Sequence, residues 1–208
     1  MGLPAFVPGI VLHELAHALA AEKLGDPTAR MSGRITLNPK AHFDPLGALM
    51  YILSSLAGFG FGWAKPVPIN PFNFRKPRRD MAISSLAGPV SNLLQLVSWA
   101  VLLHLLKSDL AGTGNIGMAY ITARMNNDLL GYVLVMGLLV NGALLGFNLL
   151  PIPPLDGSRV LAFLLPERYA YVLDRLEPYG FGILLLALWL HVLDFIWPYV
   201  ESVINLLL

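Results

Sequence analysis

The sequence predicts an all-α polytopic membrane protein, with a core of three transmembrane helices, a C-terminal helix, a short β-hairpin and a re-entrant segment. Two observations carry this prediction. Of the 208 residues, 56% are hydrophobic and 13% charged, and the mean hydropathy is +0.64, an apolar excess beyond the mix of an average soluble domain. Four stretches, roughly 3–24, 82–106, 129–150 and 180–207, stay apolar over the ~20 residues that a helix needs to cross a bilayer. The charge pattern excludes one large class of function. Net charge is +1, and no basic run is interleaved with aromatics, so nucleic acid is not expected as a partner whereas the lipid bilayer is.

The first stretch reads as a retained helix. Its start, "MGLPAFVPGIVLHELAHALA", lacks the positive charge of a signal peptide, and its small-residue end follows a His-Glu pair instead of an apolar core. Pro4 and Pro8 cost no needed hydrogen bond if the helix begins near them. Next comes "ARMSGRITLNPKAHFDP", which alternates around Met31, Ile35 and Leu37 with turn formers at Ser32-Gly33 and Asn38-Pro39. This pattern predicts a β-hairpin whose edge, residues 30–38, can pair with an extended peptide.

Residues 45–64 are apolar but broken by Gly58, Gly60 and Gly62, so they either cross once or enter and leave on one side. Lysines and arginines decide between these, because they collect on the cytoplasmic side. A single crossing separates Lys23, Arg30, Arg34 and Lys40 from Lys65, Arg75, Lys76, Arg78 and Arg79. Re-entry joins all of them with Arg159, Arg168 and Arg175 and leaves only Lys107 and Arg124 opposite. Charge therefore favours re-entry, with the N-terminus outside. Residues 112–128 read as an outer loop with a short helical turn. The C-terminal helix is expected over 179–208, ending in an interfacial zone around Asp194, Trp197, Tyr199 and Glu201. With no internal repeat and no appended soluble part, residues 1–208 read as one membrane-embedded domain, its core at 1–165.

Three residues inside the first apolar helix carry the chemistry. His13 and His17 are four apart, so on a helix both imidazoles project from one face and can share a cation. Glu14, beside His13, can act as a base without ligating. The chain has no cysteine, so His, Asp and Glu are the available ligands for a metal. A hydrolytic zinc site needs a third protein ligand, and Asp156 in "FNLLPIPPLDGSR" is the candidate, placed where Pro151, Pro153 and Pro154 break regular backbone. The alternatives are two core histidines inside a bundle and, for Asp156, a helix N-cap. His42 and Asp44 read as a turn before the 45–64 stretch, with an auxiliary metal role the lesser alternative. His104 and His191 read as core or interface residues.

"HELAH", "AGPVSN" at 87–92 and "NLLPIPPLDG" at 148–157 together resemble the site-2 protease family of intramembrane zinc metalloproteases, peptidase family M50. "GRITLNPKAHFDPLG" and "GWAKPVPINP" are similar to its small bacterial and archaeal members without PDZ or CBS domains. The matches span residues 13–157 in family order. The resemblance implies His13, His17 and Asp156 as ligands of one Zn²⁺ per chain and Glu14 as general base and acid. It also implies membrane-protein substrates cut within their transmembrane segments, and a cytoplasm-facing site in a multi-pass protein of a prokaryotic cell membrane. Asn92 and Asn148 would line the site and orient substrate or stabilise an oxyanion; their alternative is hydrogen bonding between helices. The chain departs from the family in having only twelve residues before His13, which raises a truncated or alternative start. Competing functions are a metal or ion transporter and a non-catalytic protease-like adaptor. The substrate and oligomeric state are not read from the sequence.

Overall fold

The computed structural model describes residues 3–56 and 62–208, and every regular element among them is helical. In order these are α1 (Leu3–Lys23), α2 (Thr28–Met31), α3 (Pro45–Leu56), α4 (Pro77–Leu106), α5 (Ser108–Ala111), α6 (Ile116–Met125), α7 (Leu129–Asn148), α8 (Asp156–Leu164), α9 (Glu167–Trp189) and α10 (Ile196–Leu207). Of the described helices, α1, α4 and α7 are long and apolar enough to cross a membrane. Each begins on a residue pattern that tolerates a helix start. Pro77 occupies the first turn of α4, where its missing N–H is not needed, and the Asp128 carboxylate accepts the Gly131 N–H to cap α7.

α4 is the central helix, antiparallel to α1 on one side and α7 on the other. His17 meets Ser84 while Gly9 meets Asn92 and Gln95; Asn92 meets Asn141 while Trp99 lies against Gly137. A buried apolar cluster of Leu96, Leu103, Val135, Leu138, Val200 and Ile204 joins α4, α7 and α10. Leu94, Val101 and Leu105 on α4 stay exposed. Lipid-facing helices need such an apolar exterior, whereas a monomeric soluble protein rarely shows one so extensive.

Two expectations change. No strand forms among the described residues, so the β-hairpin over 30–38 is corrected: its turn formers serve helices instead. Ser32 and Gly33 close α2, with Gly33 left-handed (φ 67°) and its N–H on Arg30 O, while Asn38 caps a single 3₁₀ turn at Pro39–His42. The Arg34 N–H turns back to Ala29 O at 2.9 Å, and no ladder to a second segment forms over residues 34–37, which is what a strand requires.

The C-terminal stretch 179–208 is not one helix either. α9 starts earlier and ends at Trp189, His191 takes a left-handed conformation (φ 57°), and the chain turns before α10. The break lets Ile196, Val200 and Ile204 face α7, a gain in burial that continuous hydropathy does not reveal.

The 45–64 stretch begins with the twelve-residue α3, too short to span a bilayer. Its glycine-rich part, residues 57–61, lies outside the described residues. The two feet of the stretch lie together: the Lys65 N–H donates to His42 O at 2.9 Å, and a methyl on Gly62 would lie 2.6 Å from Tyr51 Cβ. Asp44 accepts the Gly47 N–H at 2.7 Å and so sets the turn into α3.

Asp26 ties the end of α1 to the segment leading into α4. Its buried carboxylate accepts the Thr28 and Asn70 N–H groups, the Thr28 hydroxyl and the Asn73 amide. Burial pushes this carboxyl up, but the donors outweigh it and hold it below its ordinary value of 3.8. The stabilisation is therefore full above pH 3.8 and is lost as pH falls through the lower folded-state value. Asp26→Asn should lower the unfolding temperature at neutral pH, with the gap to wild type closing below pH 3.8. Thermal melts at several pH values in detergent check this; a gap unchanged in acid would refute it.

Candidate metal centre

His13 and His17 sit near the middle of α1, which spans Leu3–Lys23, with His13 ten residues from each end. Their four-residue spacing points both rings at α4, with ring centroids 4.6 Å apart. α4 comes this close because residue 88 is glycine. A Cβ there would lie 2.6 Å from His13 Cε1 and closer still to His17 Nε2, so the Gly88 backbone forms one wall of the site.

The partners of the two rings set their tautomers. The His17 Nδ1–H donates to Ser84 O at 2.8 Å, and a carbonyl can only accept. The Asn92 amide donates through Nδ2 to Gly9 O and Asn141 Oδ1, which turns its Oδ1 toward His13 Nδ1 at 2.5 Å. His13 therefore also carries its proton on Nδ1. In neutral rings this leaves both Nε2 atoms as acceptors; they lie 3.0 Å apart, and each is 3.3 Å from Asp156 Oδ2. That carboxylate oxygen is buried with no hydrogen-bond donor. With both imidazoles neutral and carrying their proton on Nδ1, three acceptors converge here, an arrangement that a shared cation would hold. The structure brings His13, His17 and Asp156 together as a group that could hold a metal. Two imidazoles and one carboxylate suit zinc better than the oxygen-only sets of magnesium or calcium.

Asp156 arrives through the irregular backbone after α7, which includes a cis bond between Pro153 and Pro154. It is the first residue of α8. Leu155 takes the N-cap position, and no side chain makes a cap bond there. Gly157 permits the tuck, since a Cβ on it would lie 2.5 Å from Leu149 C and Leu150 O.

Glu14 accepts the Val67 N–H at 2.8 Å through Oε2. Pro66 and Pro68 bias Lys65 and Val67 to extended backbone, and this segment is pinned at Lys65 by His42 O and by the buried Arg34 guanidinium on Lys65 O. Burial pulls Arg34 below its ordinary value, against the attraction of the Glu14 carboxylate. The chain leaving the 45–64 stretch thus passes beside Glu14.

The other singled-out residues make different bonds. Asn148 donates from Nδ2 to Leu144 O in its own helix at 2.9 Å. His42 Nε2 bonds Thr36 O, His104 Nδ1 bonds Ala100 O, and His191 pairs with Asp194. Sequence reasoning missed Asn141 and the contributions of Ser84, Arg34 and Val67. A lone amide in the apolar run "LLVNGALLG" is a signal that could have found Asn141; a backbone carbonyl or N–H leaves none.

Two imidazoles on an apolar helix able to cross a membrane, met by a carboxylate from α8 in a group that could hold a metal, fit the class of multi-pass membrane metalloproteins. The family model described as Peptidase family M50 matches residues 1–187, and the chain belongs to this metalloprotease family. Among similar proteins, "Putative zinc metalloprotease YwhC" of Bacillus subtilis is 38% identical over 179 residues, covering 86% of this chain and 75% of that protein. "Putative zinc metalloprotease Rip2" of Mycolicibacterium smegmatis is 29% identical over 189 residues, 89% of this chain and 65% of its own length. "Putative zinc metalloprotease MJ0611" of Methanocaldococcus jannaschii is 27% identical over 162 residues, 77% of this chain and 69% of that protein. No solved structure matches the chain.

Proposed function

We propose that this protein is a site-2-type endopeptidase that holds one zinc ion and cuts membrane proteins within their transmembrane segments. One observation carries the reading: Asp156 Oδ2 meets the Nε2 atoms of His13 and His17 near the middle of the apolar helix α1, with the Glu14 carboxylate on the residue after His13. His13, His17 and Asp156 would hold the zinc, which when bound supplies Lewis acidity to the scissile carbonyl and to the attacking water. Glu14 takes a proton from that water and hands it to the leaving amine. The Val67 N–H holds the carboxylate in place for this transfer. Asn92 has both ends of its amide engaged within the protein, so Asn148, with one amide hydrogen beyond the Leu144 bond, is the better donor to a developing oxyanion.

The site is read as open to the cytoplasm of a prokaryotic cell. The end of α1, the start of α4 and α8 share one end of the bundle, since Asp26 reaches Asn70 and Arg78 reaches Ala162 O and Leu165 O. That end carries Lys23, Arg30, Arg34, Lys40, Lys65 and Arg75–Arg79, while Lys107 and Arg124 lie at the other. Residues 45–64 then enter and leave the membrane on this cytoplasmic side.

A substrate must present an extended carbonyl, because a helix hides its own in hydrogen bonds. The transporter alternative explains intramembrane ligands but leaves Glu14 without a task.

The test uses the purified chain in liposomes with solubilised host membrane proteins, followed by mass spectrometry of new termini. New termini should fall inside transmembrane segments, disappear when a chelator strips the metal, and return with zinc. Termini confined to soluble loops, or persisting after verified metal loss, would overturn the proposal.

A further inference from the structure

No motif singles out Asn141, yet it is fully buried in α7 and lies two hydrogen bonds from a candidate ligand. Its Nδ2 donates to Gly137 O at 2.9 Å, and its Oδ1 accepts from Asn92 Nδ2 at 3.0 Å. Asn92 Nδ2 also donates to Gly9 O at 3.2 Å, and Asn92 Oδ1 faces His13 Nδ1 at 2.5 Å. The direction of this chain is forced. The carbonyls of Gly137 and Gly9 can only accept, so each amide must present nitrogen to them and oxygen to the next member. Reversing Asn141 would set its oxygen against Gly137 O and its nitrogen against the Asn92 nitrogen. Reversing Asn92 would set its oxygen against Gly9 O and Asn141 Oδ1, both of which can only accept.

Resting on the metalloprotease reading of the site, we propose that Asn141 is a positioning residue for the metal centre. It orients the Asn92 amide so that Asn92 Oδ1 keeps the His13 proton on Nδ1 and leaves the Nε2 lone pair for the metal. Outer partners of this kind fix the tautomer and plane of a ligating imidazole, and losing one costs about 10- to 100-fold in metal affinity. Three helices meet in the relay, through Gly9 of α1, Asn92 of α4 and Asn141 of α7, so helix packing and ligand orientation are set by the same bonds. A purely structural pair of asparagines would hold α4 to α7 without acting on His13.

The test compares wild type, Asn92→Leu, Asn141→Leu and the double variant in detergent. Zinc affinity is read by competition with a chelator, the visible spectrum is read after cobalt substitution, and folding is read by thermal melts. Asn92→Leu should weaken zinc by about 10- to 100-fold and Asn141→Leu by about tenfold. Both should shift the cobalt bands, and the double variant should bind no more weakly than Asn92→Leu, because Asn141 acts through Asn92. If the leucine folds poorly, Asn141→Thr serves in its place. Its hydroxyl can bond Gly137 O within the helix, but its side chain is one bond shorter on the way to Asn92. A lowered melting temperature with unchanged zinc affinity and cobalt spectrum would reduce the pair to structure and overturn the proposal, as would additive losses in the double variant. A wild type that binds zinc but cleaves nothing would refute the protease reading and leave the relay standing.

Discussion

Glu14→Gln should lower the rate of cleavage by about 10²- to 10⁴-fold, the usual worth of a positioned acid–base group, while the protein keeps its zinc. The reason lies in what glutamine preserves. It has nearly the size of glutamate, and its amide oxygen can still accept the Val67 N–H that holds Glu14 at 2.8 Å. The three candidate ligands His13, His17 and Asp156 are untouched. What disappears is the ability to take and return a proton. Zinc content of the purified variant and single-turnover cleavage of a membrane substrate are the paired measurements. Retained zinc with lost cleavage is the expected result. Unchanged cleavage would remove Glu14 from the mechanism, and bound zinc lost together with activity would make Glu14 a ligand.

Gly88→Ala should abolish zinc binding to within detection, at least about 100-fold in affinity, with activity falling in parallel. The added methyl would sit 2.6 Å from His13 Cε1 and closer to His17 Nε2, so either both imidazoles swing away or α4 retreats from α1. Retreat strains the bonds that orient the rings, His17 Nδ1 to Ser84 O at 2.8 Å and His13 Nδ1 to Asn92 Oδ1 at 2.5 Å. Overpacking of this size costs about 1–3 kcal/mol of stability, a loss that a protein with several apolar helix contacts can survive. The variant should therefore fold and yet bind no metal. Alanine at 112, where the nearest non-neighbouring atom lies 3.1 Å away on a loop remote from the ligands, is the control. Zinc bound normally by Gly88→Ala would show that α4 does not wall the site.

Much of the metal centre was legible before the fold. The spacing of His13 and His17 is a property of one helix, and helical geometry alone puts both rings on one face. Asp156 was legible more weakly, as a carboxylate at an apolar helix end among prolines, with a capping role equally open until the histidine pair was set beside it and favoured the ligand. Its approach to within 3.3 Å of both imidazoles depends on the turn after α7 and on Gly157, features that couple segments more than 130 residues apart. The β-hairpin failed for a related reason. Alternation around Met31, Ile35 and Leu37 is compatible with a strand, but a strand exists only with a partner, and Gly33 and Asn38 found work as helix-closing and turn-capping residues instead. The C-terminal helix failed because hydropathy measures what a segment can bury and is blind to a turn at His191 that redirects it.

Taken alone, the sequence determined the solvent and the local chemistry: apolar helices of membrane length, a histidine pair on one helical face, and a charge asymmetry between the ends. These follow from composition and from periodicity within single segments, which need no knowledge of neighbours. The tertiary structure alone decided that Asp156 and Gly88 meet the two histidines, that Val67 holds Glu14, and that Asn141 stands behind Asn92. Those relations join residues far apart in the chain, and their energies come from close packing and hydrogen bonds between helices, which no single segment encodes.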